Sequence, residues 1–390
     1  MDVYPDYYTP ELLAEISRRT ASCLDDDKTR SILNELKGFE FFMQRCVVDL
    51  DKEMYDIRKM RVAFALLRSV DLGAFSYSSI EGIHSEKFDF IGINLGTAAV
   101  LFDNFNKVLS STTAFVGCGK WQKEDNERAS RFLELKADVS EKLSFPHCPV
   151  RTEYARILTS IGLSFVVYHE ATHLYKGHVD WLQANNKSPI FVKGFDGSII
   201  PTNDLVRQFF EVDADDCALQ LTWSVRPSVQ RASALKGAPR AVQLANYYAF
   251  GTYERTVKTF AYSLYTIFRI ADRRPWNDQI QKGSHPRALL RARYFINRFI
   301  EVLGWERPGH REKEYIIDLI WDAVKHVEQD LSNLIGLDSD IKTVIEVLKS
   351  PAASLHIQEI NRIQHEIEPQ LLRYRRGTKF PGTPLMKSAM

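Results

Sequence analysis

The stretch that most limits how this chain can fold is SIGLSFVVYHEATHLYKGH, residues 160–178. Its apolar run reaches right up to His169, and a helix so apolar belongs inside the protein. Two histidines and a glutamate then enter that buried helix. Polar groups taken out of water need partners, and a metal ion would supply them. Positions four apart lie on one face, about one turn from each other. His169 and His173 could therefore reach one ion, at zinc–nitrogen distances of roughly 2.0–2.1 Å. Glu170 projects beside that site without occupying it. A carboxylate there can take a proton from a water that the metal acidifies to a pKa of about 7.

A catalytic zinc site usually has three protein ligands and one open position. His178 is near in sequence, but it lies five residues past His173, about 140° around a continuous helix. The run FFEVDADDCAL, residues 209–219, offers more. Its acidic residues, Glu211, Asp213, Asp215 and Asp216, crowd against Phe209, Phe210, Ala214 and Leu219. Alone they would read as an exposed acidic face. Joined to the histidine pair, Glu211 can serve as the third ligand. Asp215, four residues on, can accept a hydrogen bond from a ligand histidine.

The rest of the chain sets the frame. Of 390 residues, 51 are basic and 50 acidic, which leaves no field to draw in nucleic acid or an anionic membrane. The three arginines of RYRRG, Arg373, Arg375 and Arg376, read as a solvated end. The start lacks a basic, then apolar, signal pattern, and the five cysteines have no paired spacing, so a reducing cytoplasm is expected. The longest membrane-like stretch, 244–270, carries Glu254, Arg255 and Lys258 and reads as one buried helix, with no integral membrane segment expected.

Periodicity suggests helices from about Thr9 to Leu72. EKFDFIGINLGTAAVLFDNF, residues 86–105, suggests two short strands turning near Gly96. One long helix is expected from about Thr152 to Gln183. A small hairpin follows around Asp196–Gly197, then a helix capped by Asn203 or Asp204. Helices continue to about Arg373. The predicted class is α+β, predominantly α-helical, with one small sheet.

Three motifs stand in order: HEATH (169–173), EVDAD (211–215) and SHPRALLR (284–291). In this the chain resembles the gluzincin metallopeptidases of the CAAX-prenyl-protease and minigluzincin type, over roughly residues 86–300. The resemblance implies a zincin-like core at 86–300, between a helical region at 1–85 and another at 301–390. It implies zinc held by His169, His173 and Glu211, with Glu170 as general base and Asp215 behind a ligand. His285 would face the reacting carbonyl, and Arg291 would brace the acidic helix. It also places a substrate-binding sheet edge near Phe90 to Val100, where an extended protein or peptide substrate would add as a strand. The chain departs from the membrane-bound members in lacking membrane helices, which points to a soluble zinc endopeptidase.

Two other readings fit the same motif. One resembles the Lit-type phage-exclusion peptidases of bacterial defence, which also carry H-E-x-x-H; the helical flanks leave room for a regulatory partner. The other is a binding or scaffold protein with a structural zinc site.

Overall fold

The run FDFIGIN is buried along its whole length and forms one of the two inner strands of a small sheet. The computed structural model describes residues 12–14, 16–17, 26–54, 61–69, 72–78, 88–111, 113–120, 145–186, 192–193, 204–224, 237–271, 288–306, 310–335 and 341–376. In chain order the elements are helix α1 (Asp26–Met54), strands β1 (Arg61–Leu67), β2 (Ala74–Ser78) and β3 (Phe88–Asn94), and helix α2 (Leu95–Leu109). Helices α3 (Pro149–Tyr175) and α4 (His178–Asn186), strand β4 (Val192–Lys193) and helix α5 (Asp204–Ser224) follow. Helices α6 (Arg240–Phe250), α7 (Tyr253–Ala271), α8 (Ala288–Glu306), α9 (His310–Ile335), α10 (Ile341–Leu348) and α11 (Pro351–Leu371) complete the described chain.

The fold is predominantly helical with one sheet, as expected from sequence. The strand order is β1-β3-β2-β4, with β1 parallel to β3 and the other pairings antiparallel. Helix α3 is the axis of the molecule. Pro149 stands in its first turn, and every residue from Ile161 to Tyr175 is buried. Helices α1, α2, α5, α6 and α7 pack around it, and β2 lies against it. One hydrophobic core runs from Leu36 to Leu371, so residues beyond 300 pack into the same interior as α3.

Several local expectations are corrected. Residues 61–67, expected to be helical, form β1, because pairing with β3 outweighs the helix preference of Arg, Ala and Leu. The second expected strand of residues 86–105 is instead α2. Ala98, Ala99 and Leu101 favour a helix, and all fifteen residues of α2 are buried. The proposed substrate edge at Phe90–Val100 is therefore not an edge. Strand β3 is paired on both sides, and residues 95–100 are enclosed helix. The stretch 244–270 is two helices that break at Gly251–Thr252, where the Thr252 hydroxyl accepts the Arg255 backbone N–H at 3.2 Å. Among the described residues no helix is long and apolar enough to cross a membrane. Of the expected hairpin only β4 is described, and Asp196–Gly197 lies outside the described residues.

The long helix from Thr152 ends early, at Tyr175. Gly177 has φ +78, which glycine adopts without strain, and the backbone carbon of Tyr374 sits 2.7 Å from where a side chain would start. The C-terminal stretch is thus wedged against the turn between α3 and α4. Arg376 is no solvated end: it is 1% exposed. Its guanidinium binds Asp89 of β3 at 3.0 Å and Ser78 of β2 at 2.8 Å, and it pairs with Asp180 of α4. Its backbone N–H donates to the Tyr175 carbonyl at 2.9 Å. Sequence composition treats three neighbouring arginines alike; only the fold shows that one of them ties sheet to helix.

Candidate metal centre

His169 and His173, a turn apart on α3, bring their Nε2 atoms within 3.1 Å of each other. Glu211 of α5 faces both. One of its oxygens lies 3.4 Å from His169 Nε2 and the other 3.6 Å from His173 Nε2. The three side chains are buried, and their donor atoms lie within 4.8 Å of one another, so the group could hold a metal ion. The separations fit a tetrahedral ion: ligands about 2.0–2.1 Å from a metal stand roughly 3.3 Å apart. The acidic face of α5 is buried here, which explains why it is flanked by phenylalanines and alanines.

The far side of each imidazole is held. His169 Nδ1 lies 2.9 Å from an Asp215 carboxylate oxygen. Asp215 is in turn gripped by Arg291 through two bonds of 2.7 Å, and the Arg291 guanidinium stands 5.4 Å from the centre of the Phe268 ring. Burial works against the Asp215 carboxylate, but Arg291 overcomes it and holds the pKa below the usual range. Burial alone would also lower His169, yet its bonds to Asp215 and Glu211 reverse the effect and lift it to about 10. The carboxylates thus favour positive charge at this spot.

On the second histidine the sequence reading needs correction. Because the helix breaks at Gly177, His178 swings back to put its Nδ1 3.1 Å from His173 Nδ1, with its Nε2 3.1 Å from Asp213. Burial lowers the His178 pKa, so the ring is neutral. Burial raises Asp213, but Lys176, whose ammonium donates to it at 2.8 Å, and His178 pull it well below the usual range. The ionised Asp213 then accepts from His178 Nε2–H, and His178 Nδ1 accepts from His173 Nδ1–H. That chain leaves the His173 Nε2 lone pair directed toward Glu211 and His169. His178 is not one of the three grouped donors, but it sets the tautomer of His173.

Glu170 is fully buried. The Ser76 hydroxyl on β2 reaches its Oε2 at 2.6 Å and its backbone carbonyl at 2.7 Å, and its one proton serves only one of them at a time. Sequence reasoning missed Ser76 and Lys176, and it named His178 and Asp213 without finding their role. Glycine followed by a histidine at the end of a periodic run was a signal for the turn that brings in His178. Ser76 is 94 residues from its partner and had no local signal. Arg291 of α8 meets Asp215 of α5, whereas His285 lies outside the described residues. No protein-family model, curated protein or solved structure matches this chain.

Proposed function

We propose that this chain is a zinc-dependent endopeptidase of gluzincin character. One observation carries the reading: the donor set of His169, His173 and Glu211 stands at tetrahedral spacing, with buried Glu170 next to His169 in the chain. Two imidazoles and a carboxylate suit zinc. A bound zinc ion would polarise a scissile carbonyl and acidify water to a pKa of about 7. His178 leaves the inward ring nitrogen of His173 unprotonated, and Asp215 holds the far side of the His169 ring, whose inward nitrogen would give up its proton when an ion binds. Glu170, oriented by Ser76, accepts the proton of the attacking water and passes it to the leaving amine. Arg291 fixes Asp215, and through it the His169 ring.

The purified chain should carry about one zinc, lost in His169→Ala or His173→Ala and weakened in Glu211→Ala. Glu170→Gln should keep zinc and fold while proteolysis or cellular toxicity drops about 10²–10⁴-fold. A Gln variant with every effect of the wild type would leave only a structural metal site.

The enclosure of the centre favours a triggered form of the same enzyme. His169, Glu170, His173 and Glu211 are each no more than 3% exposed, so a peptide needs an opening before it reaches them. A defence protease of the Lit type, idle until it meets its trigger, fits that burial. A resting chain inactive on denatured casein, yet toxic on induction only with Glu170 intact, would support it.

A further inference from the structure

A cavity of about 270 Å³ lies at the other end of α3 from the metal centre, between α6, α7, α9 and the 113–118 loop. Tyr154 lines it, fifteen residues before His169 and so about 22 Å along the helix from the metal centre. Its inner wall is aromatic. Phe115 packs edge-on against Tyr154 at 5.1 Å and Tyr262 at 4.6 Å, and Tyr248 meets Tyr154 at 5.1 Å. The loop is built rigidly: Phe115 holds φ +51, and Arg151 donates to the carbonyls of Ala114 at 2.8 Å and Ser111 at 2.9 Å. A preformed aromatic pocket near 300 Å³ is the size for a small ligand.

The charges in the lining say what kind of ligand. Lys258 and Asp322 neutralise each other across the rim. Two further charges remain. Asp330 is 6% exposed and accepts the Tyr262 hydroxyl at 2.8 Å. Arg255 stacks over the rings of Tyr247 and Tyr248 at 5.3 and 5.4 Å. Among the described residues neither has an ion-pair partner, and both line this cavity. A carboxylate this buried among aromatic rings without a counter-ion in contact is costly, and burial lifts its pKa to about 6 against a weaker opposing pull from His326 and Arg151. A ligand cation would relieve that cost, with aromatic faces around it that also favour cations.

We propose that this cavity is a binding site for a small zwitterion with an apolar body, an aromatic amino acid or a dipeptide. Its ammonium meets Asp330 and its carboxylate meets Arg255, while the side chain lies against Phe115 and Tyr154. The site does not depend on the metal reading, since it shares no residue with that centre.

The test is calorimetric titration of the full chain with L-phenylalanine and L-phenylalanyl-L-alanine. Phenethylamine, which lacks the carboxylate, and 3-phenylpropionate, which lacks the ammonium, serve as one-headed controls. At least one zwitterion should bind, with both controls at least tenfold weaker, because each control forfeits a charge-assisted contact. Asp330→Asn and Arg255→Gln should each weaken the zwitterion at least tenfold, and His169→Ala should not. Arg255 sits at the rim, so its variant remains informative if the buried change at Asp330 harms folding. Silence from all four compounds would overturn the proposal, as would a control that binds as tightly as the zwitterions. Binding lost in His169→Ala but kept in Arg255→Gln would locate the ligand at the metal centre and overturn it too.

Discussion

His169 and His173 could be read as a pair from their spacing alone, because helix geometry decides which side chains share a face. Their orientation could not, since it depends on what holds each Nδ1. Asp215 was legible for the same reason as the pair: four residues from Glu211, it lies on the same face of α5. His178 was not, because a continuous helix turns it away from His173 and only the Gly177 break turns it back. Removing it tests that account. His178→Ala deletes the acceptor of His173 Nδ1–H while keeping all three candidate ligands, so zinc affinity should fall about 10–100-fold. Competition with a chromophoric chelator measures this, and affinity equal to wild type would show that the ring contact is incidental. Asp330 supplies a prediction in pH. Its carboxyl is raised from 3.8 to about 6, so between those values the folded chain holds a proton that the unfolded chain has released. Stability should fall as pH rises through that window, by about 3 kcal/mol in all. Urea unfolding of wild type and Asp330→Asn should therefore differ by that much more at pH 7.5 than at pH 3.5, in favour of the variant.

At the scale of elements, the α3–α4 junction is the most consequential turn. Gly177 combines a left-handed backbone with a neighbour, Tyr374, that leaves no room for a side chain. Gly177→Ala adds the left-handed strain of about 1–2 kcal/mol and a backbone clash. It should lower stability by at least that amount in urea unfolding, and it should loosen zinc along with it, because His178 follows directly. A variant with unchanged stability would mean the turn can shift without cost. The same scale explains the two misread stretches. The strand β1 and the helix α2 have sequences whose local preferences point the other way or both ways. Whether Ala63 sits in a helix or a strand is decided by a partner at Phe90. Such pairing is invisible in a window of a dozen residues.

For the molecule as a whole, Arg376 is part of the interior, since it joins β2, β3 and α4. Removing one member of a buried ion cluster leaves the others uncompensated, at a typical cost of about 3–5 kcal/mol. Arg376→Met should destabilise by that order, whereas Arg373→Met, on the exposed neighbour, should change little. Thermal or urea unfolding of both decides it, and equal effects would return Arg376 to the surface role its composition suggested. What the sequence determined by itself is whatever short-range geometry encodes: a buried helix bearing H-E-x-x-H, an acidic helix with Glu211 and Asp215 on one face, and a mostly helical chain with one sheet. These follow from periods of 3.6 and 2, which a chain carries along its own length. The tertiary structure alone decided that Ser76 orders Glu170, that Asp213 and His178 stand behind His173, and that Arg376 is buried. Each of those contacts joins residues whose separation in sequence, or the break between them, bears no periodic relation to their meeting in space.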